Sequence, residues 1–205
     1  ADESGEWVLP EEVVIEDGTA RHARTGAPIV VGAAEKMSKS KRNVVDPDEI
    51  IGNYGADTAR FFMLSDTPPE RDIEWTDAGV DAAHRFVQRI WRLVHGWQAK
   101  TSTGTKDAGS ENPTGLATEL RRQTHKVLKA VGEDIEKLAF NRAIARIYEF
   151  VNTLSDAAKL DPKTAGLVPA MEEGLKVLIQ CFAPFMPHLA EQCWEHLGND
   201  GLVSE

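Results

Sequence analysis

The chain has 205 residues, of which 41% are hydrophobic and 27% charged, and 23 basic against 33 acidic residues give a formal net charge of −10. This composition suits one large soluble domain, or a medium domain with an appendage, and excludes wholesale disorder. No run of ~18 apolar residues marks a membrane span. The acidic first residues do not suit a secretory signal, and two cysteines are too few for a disulfide framework. We therefore expect a cytoplasmic protein, and the absence of an initial Met hints at a piece of something longer.

Residues 1–35 predict a small β-rich segment. Residues 12–16 have a β-branched centre and favour a strand. Asp17 and Gly18 favour a hairpin turn, after which residues 20–23 would form the returning strand. Residues 28–31 predict a third short strand. Three short strands bury little apolar surface, so we expect a satellite of a larger body.

The pattern becomes helical after residue 46. Asp46 is a candidate N-cap, Pro47 suits the first helical position, and Glu49 completes a capping box. A second short helix is predicted over 56–64, and a long one from Thr76 to about Gly96. Residues 101–115 predict a flexible loop, and further helices are expected over 116–131, 139–159, 168–182 and 188–197.

Amphipathic helices joined by short loops predict a mainly α fold, an antiparallel helix bundle with a small N-terminal β element. We divide the chain into the β-rich segment at 1–35, a loop with short helices at 36–78, and the bundle at 79–205. The long helix carries Arg85, Arg89 and Arg92 on the side opposite its apolar residues. This arginine stripe is either a contact for nucleic-acid phosphates or a solvated helix face.

The stretch Lys36-Met37-Ser38-Lys39-Ser40 is the most informative one in the sequence. Two lysines flank a small-residue turn, two hydroxyls are available to phosphate oxygens or to the loop itself, and we expect no acid to neutralise the lysines before Asp46. A cationic loop of this kind suits a triphosphate, where charge develops during transfer. The alternative is an ordinary solvated basic loop.

The context of this loop favours the first interpretation. Residues 36–47 followed by Tyr-Gly-Ala-Asp-Thr-Ala-Arg at 54–60 resemble the second signature of class I aminoacyl-tRNA synthetases. Residues 69–75, then Gly79-Val80, Arg85-Phe86, Arg89 and Trp91, resemble the leucyl branch. Residues 183–189 with Trp194 are similar to the anticodon-binding helical domain of that subclass.

The resemblance implies a function and a set of roles. The family uses ATP, with Mg²⁺, to activate leucine as an adenylate and then passes the leucyl group to the 3′ end of tRNA(Leu). Lys36, Met37, Ser38, Lys39 and Ser40 match the ATP-binding loop, and Lys36 and Lys39 the catalytic lysines. Lys39 would stabilise the transferring phosphate, and Met37 would anchor the loop by packing. The arginine stripe would contact tRNA, and the parent would be a monomer.

The other family signature, His-x-Gly-His, is absent from the 205 residues. The nucleotide-binding sheet and the leucine pocket would then lie outside this chain, which we expect to be inactive alone and to hold no cofactor tightly. Two alternatives stay open at this stage. One is a stand-alone tRNA- or RNA-binding module, and the other is a piece of a valyl or isoleucyl synthetase.

Other residue groups favour structural roles. Cys181, His188, Cys193 and His196 fit no common zinc spacing, so we expect no metal and buried thiols. Trp91 and Trp97 favour core packing, whereas the role of Trp75 stays open. Asp57 and Arg60 favour structural pairing over catalysis.

Overall fold

The structure is a computed structural model that describes residues 5–33, 35–102 and 115–205. The chain divides near residue 50 into two compact units, which are described separately. Most of the loop predicted over 101–115 lies outside the described residues. The described secondary structure is mainly α-helical with one small sheet, as predicted.

The first unit contains a two-stranded antiparallel hairpin. β1 (Val13–Glu16) pairs with β2 (Thr19–His22), and the turn residues Asp17 and Gly18 have φ angles of 49° and 74°. Two successive positive φ angles match the right-handed twist of the strands, which explains why an Asp-Gly pair occupies this turn. The predicted hairpin is therefore confirmed.

The third strand predicted at 28–31 is wrong. Arg21 and Pro28 form one isolated bridge, and the Ile29 amide donates to the Ala20 carbonyl over 2.9 Å. Pro28 has no N–H to donate, and no ladder continues past Ile29 among the described residues, so the β-branched residues here run beside the hairpin without joining it as a strand.

The helices of the described chain follow the predicted order. They are α1 (Pro47–Tyr54), α2 (Ala56–Ser65), α3 (Asp77–Ser102), α4 (Gly115–Glu136), α5 (Phe140–Ala157), α6 (Leu167–Phe182) and α7 (Pro187–His196). The Asp48 amide donates to Asp46 Oδ1 over 2.9 Å, which confirms the predicted cap. α3 continues past the predicted end at Gly96, because the next residue, Trp97, is 2% exposed and its burial offsets the ~1 kcal/mol that an interior glycine costs.

The core of the second unit lies among α2 to α7. Phe86 of α3 stacks on Tyr148 of α5 with ring centroids 3.7 Å apart, and Phe61 of α2 lies 5.2 Å from Phe86. α6 approaches α5 closely at Gly174, where a Cβ atom would come within 2.7 Å of Leu154 Cδ2. None of the described helices is long and apolar enough to cross a membrane.

A buried carboxylate joins α4 to α5. Asp134 is 2% exposed, and it forms ion pairs with Arg142 over 2.9 Å and with Arg146 over 2.5 Å. A buried charge without a partner is strongly destabilising, so two guanidinium partners are needed to hold this carboxylate in place.

Candidate functional site

The signature loop, residues 36–43, is shaped by its own hydrogen bonds. Its backbone makes a 3₁₀ turn at Lys39–Lys41, for which Ser38 is the N-cap. Ser38 Oγ accepts from the Lys41 amide over 3.3 Å, and the Ser38 amide donates to Asn43 Oδ1 over 2.8 Å. The turn ends at Arg42, which adopts a left-handed conformation with φ 50°. Short polar side chains therefore define the loop without help from an apolar core.

The lysines of the signature loop differ in their partners. Lys36 and Lys39 are exposed and make no side-chain hydrogen bond or ion pair with any described residue. Lys41 forms an ion pair with Glu35, and its Nζ lies 5.6 Å from the centroid of the Trp7 ring. Glu35 stands directly before Lys36, so the expectation that no acid before Asp46 neutralises the loop is wrong for Lys41.

The remaining loop residues behave differently from one another. Ser38 Oγ and Ser40 Oγ lie 3.2 Å apart, so the two hydroxyls bond to each other and hold the turn. Met37 is 42% exposed, so the expected packing anchor is not found among the described residues. A thioether needs apolar neighbours on most sides to act as an anchor, and this unit offers few of them here.

The geometry of the signature loop suits an anionic ligand. Two exposed ammonium groups flank a preformed turn, and both keep their donors free of protein carboxylates within the described chain. Preformed donors of this kind are effective where negative charge develops on a phosphate during a reaction. The catalytic and ATP-binding roles given to these residues stay predictions.

The structure divides the arginine stripe of α3. Arg85 and Arg92 are exposed and make no hydrogen bond or ion pair with the described residues. Arg89 Nη2 instead donates to Asn152 Oδ1 over 2.7 Å and to Ser155 Oγ over 3.4 Å, both on α5. The guanidinium groups of Arg85 and Arg92 thus stay available to a partner outside the chain, whereas that of Arg89 joins α3 to α5.

Asp57 and Arg60 of α2 secure the connection between α6 and α7. Arg60 Nη2 donates to the Pro184 carbonyl over 2.9 Å, and its Nε donates to the Phe185 carbonyl over 3.2 Å. Asp57 Oδ2 accepts from the Leu189 amide over 2.6 Å. A cation at the end of one helix and an anion at the start of the next match the helix dipoles. The predicted structural roles are confirmed, although the two residues bond to backbone groups and not to each other.

Three tryptophans of the second unit pack in or against its core. Trp97 is 2% exposed and Trp91 is half-buried, as predicted. Trp75, for which the sequence favours no role, packs edge-on against Phe62 with centroids 5.1 Å apart.

The cysteines are buried, as predicted. Cys181 and Cys193 are 4% and 0% exposed, and burial raises the pKa of each thiol to about 12. Within the described ranges no group of three or more His, Cys, Asp or Glu residues is placed to hold a metal ion.

Two family models match parts of the chain. The model for class I tRNA synthetases of the I, L, M and V type matches residues 27–76, which include the signature loop. The model for the anticodon-binding domain of tRNA ligases matches residues 117–205, from α4 to the end of the chain.

Two similar curated proteins carry the same name. The chain is 52% identical to a leucine–tRNA ligase of Mesorhizobium japonicum over 215 residues, which cover 100% of the chain and 24% of that protein. It is 53% identical to the leucine–tRNA ligase of Agrobacterium fabrum over 209 residues, covering 98% of the chain and 23% of that protein. The chain therefore spans about a quarter of the length of these relatives.

Solved structures are similar in fold. A leucyl-tRNA synthetase (LeuRS agnB2) of Agrobacterium radiobacter K84, solved in a ternary complex with tRNA and LeuAMS, matches with a TM-score of 0.70 and 29% identity. The match covers 82% of this chain and 22% of that one. The apo methionyl-tRNA synthetase of Mycobacterium tuberculosis matches with a TM-score of 0.61 and 18% identity, over 77% of this chain and 35% of its own, which shows the fold alone.

Proposed function

Because the chain belongs to the class I aminoacyl-tRNA synthetases and matches leucine–tRNA ligases along its whole length, we propose that it supplies the signature loop and the tRNA-binding bundle of a leucine–tRNA ligase. In the full-length enzyme, ATP with its Mg²⁺ activates leucine as an adenylate, and the leucyl group then passes to the 3′ end of tRNA(Leu). ATP enters this reaction as a substrate in the form of its Mg²⁺ complex, and pyrophosphate leaves. The parent enzyme acts as a monomer in the cytoplasm.

The proposal rests mainly on the exposure of Lys36 and Lys39 and on their lack of a carboxylate partner among the described residues. Both ammonium groups are exposed beside the turn capped by Ser38 and have no carboxylate partner in the described chain. During activation the leucine carboxylate attacks the α-phosphate of ATP, and charge builds up on the departing pyrophosphate. Lys39 stabilises this charge, so it acts more strongly in the transition state than on bound ATP. Lys36 holds the phosphates in position for the same step.

The remaining loop residues hold the binding geometry. Ser38 and Ser40 keep the turn that presents the lysines, and each keeps hydrogen-bonding capacity for a phosphate oxygen. Met37 contributes its exposed side chain to the ATP-binding loop. Lys41 is paired with Glu35 and takes no direct part.

The bundle supplies the contact with tRNA. Arg85 and Arg92 project from α3 without partners among the described residues and bind phosphates, which position the RNA without reading its bases. Arg89 contributes less, because its guanidinium is already engaged with Asn152 and Ser155.

The two alternatives have less support. Relatives about 50% identical to the chain are leucine–tRNA ligases, which favours leucine over valine or isoleucine. A stand-alone RNA-binding module has no use for Lys36 and Lys39 in this arrangement, whereas a nucleotide-activating enzyme does.

The test uses a hybrid enzyme, in which this chain replaces the homologous segment of the Mesorhizobium japonicum leucine–tRNA ligase. Lys39→Ala is expected to slow single-turnover formation of leucyl adenylate by ~100-fold or more, because losing one donor to a developing charge costs about 3–4 kcal/mol of barrier. Leucine binding should stay nearly unchanged.

The matched control is Lys137→Ala, which removes an exposed lysine of the bundle. It is expected to leave the rate of adenylate formation unchanged. If Lys39→Ala left the chemical step as fast as the control does, the proposed role of the signature loop would be refuted.

A further inference from the structure

The apolar run at residues 29–31 leaves the hairpin without a cover. The side chains of Val30 and Val31 are 67% and 69% exposed, so the described residues cover neither of them. Consecutive residues of a strand point to opposite faces, and a continuous apolar run of β-branched residues is typical of a strand that is buried on both faces. The side chains of this run are therefore those of an interior strand, although they lie at the surface.

The backbone of the run has hydrogen-bonding groups to offer. The Ile29 amide donates to the Ala20 carbonyl over 2.9 Å, which ties the start of the run to β2. Val31 and Gly32 make no hydrogen bond with any residue that the structure describes. Open N–H and C=O groups beside apolar side chains are what an added strand pairs with. The run thus presents an edge that accepts one more strand.

The first unit does not cover this edge with its own side chains. Among its described residues, Ala20 is the one apolar side chain that is buried. Ile15, which pairs with Ala20 across the hairpin, is itself 69% exposed. A hairpin that buries so little apolar surface is at best marginally stable in water, so the unit needs a larger body to pack against.

The chemistry around the run favours protein over nucleic acid as that body. Residues 25–34 carry no charged side chain, whereas a surface that binds phosphates needs lysines or arginines. The class I synthetase model matches residues 27–76, so the run and the signature loop belong to one matched segment. The chain spans 24% of the Mesorhizobium japonicum leucine–tRNA ligase, so most of such an enzyme lies outside these 205 residues.

We infer that residues 29–32 pair with an apolar strand in the remaining part of the leucine–tRNA ligase, which covers Val30 and Val31. The inference rests on the proposed function and deepens it. Val31 stands five residues before Lys36, which is at most about 18 Å along an extended chain. A strand fixed at this point holds the signature loop beside the nucleotide, so Val31 is a positioning residue that acts through the loop.

Amide hydrogen exchange tests the pairing by comparing the 205-residue chain alone with the hybrid enzyme. The Val31 and Gly32 amides are expected to exchange at least about tenfold more slowly in the hybrid, because a strand partner protects them there. Amides of α5 are the internal control and should exchange alike in both proteins. Equal exchange of Val31 and Gly32 in the two proteins overturns the inference. Protection that appears only with added tRNA, or only where the hybrid forms dimers, assigns another occupant and overturns it too.

A substitution tests the consequence for the signature loop. Val31→Asp should leave the melting temperature of the chain alone unchanged, because the side chain is exposed there. In the hybrid it is expected to slow leucyl adenylate formation about tenfold or more, since a carboxylate is costly to bury without a partner. Leucine binding should stay nearly unchanged, because the change acts on the loop and not on the leucine pocket.

The matched control is Val14→Asp, which makes the same chemical change at an exposed position of β1. It should leave adenylate formation by the hybrid unchanged. The inference is overturned if Val31→Asp is as active as Val14→Asp. If the unchanged hybrid folds but forms no leucyl adenylate, the proposed function fails, whereas amide exchange in that hybrid still reports on the strand, which keeps the two failures apart.

Discussion

Lysines of one short loop meet different surroundings in this protein. Glu35 neutralises Lys41, whereas Lys36 and Lys39 stay without a partner in the described chain. Exposed ion pairs contribute roughly 0–1 kcal/mol, so the Glu35 pair orients Lys41 more than it stabilises the unit. Sequence spacing predicts which residue types share a loop. It does not predict which acid pairs with which lysine, because Glu35 and Asp46 both flank the loop.

The exposed arginines of α3 should account for part of the salt dependence of tRNA binding. Arg85→Gln/Arg92→Gln in the hybrid is expected to flatten the log–log dependence of affinity on salt by something under about one unit for each phosphate that the variant no longer neutralises. Arg89→Gln should change the slope less, because its bonds to Asn152 and Ser155 occupy it. Fluorescence anisotropy at several salt concentrations measures this. Equal slopes and equal affinities for the double variant and the unchanged hybrid would make the stripe ordinary solvated surface.

The buried thiols should be inert in the native protein. Burial raises the pKa of Cys181 and of Cys193 from 9.0 to about 12, so both stay protonated at pH 8. We expect an aromatic disulfide reagent to react with neither until the chain unfolds in denaturant. Between pH 9 and pH 12 an unfolded thiol ionises while the buried thiol does not, so the free energy of unfolding should fall over that interval. Rapid labelling of native protein would show that these sites open more easily than the structure implies.

At the scale of elements, the first turns of α2 connect distant parts of the sequence. Asp57 and Arg60 reach residues more than 120 positions later and satisfy backbone groups at a helix end and a helix start. Unsatisfied groups at a helix terminus are costly when buried, so this connection holds α7 against the bundle. The stretch around residue 57 and the proline-rich stretch around residue 185 are therefore in contact in the folded chain.

Removing either side chain should destabilise the second unit. Asp57→Ala is expected to cost about 1–3 kcal/mol and Arg60→Ala about 1 kcal/mol, because partly buried backbone groups lose their partners and the Arg60 bonds are the more exposed. That loss corresponds to a fall in melting temperature of about 2–4 °C per kcal/mol. Asp72→Ala and Arg71→Ala remove the same side-chain types at exposed positions and are the matched controls. Melting temperatures for the first pair that equal those of the controls would contradict this structural role.

Much of this architecture follows from periodicity. The helices can be predicted within a few residues because their apolar positions recur at helical spacing, and the Asp17-Gly18 turn carries a strong local signal. The prediction of a third strand is wrong because β-branched residues favour an extended chain without specifying a partner. The contacts of His84 with Thr58 and of His188 with Asp57 could not be predicted, since they depend on how α2, α3 and α7 pack and each histidine alone is ordinary for a helix surface.

At the scale of the whole molecule, the two family models leave α3 unmatched between them. They cover residues 27–76 and 117–205, whereas the identity with curated leucine–tRNA ligases runs through the chain. α3 carries the exposed Arg85 and Arg92, so the proposed phosphate contacts fall on a helix that lies between the two matched ranges.

The central claim is that this chain contributes to leucine activation only as part of a larger enzyme. Leucine-dependent exchange of pyrophosphate into ATP tests it most directly, measured side by side for the purified 205-residue chain and for the hybrid enzyme. The account predicts exchange by the hybrid, a fall of ~100-fold or more on Lys39→Ala, and no exchange by the chain alone above a mock preparation. Robust exchange by the chain alone, or a folded hybrid without exchange, would contradict it.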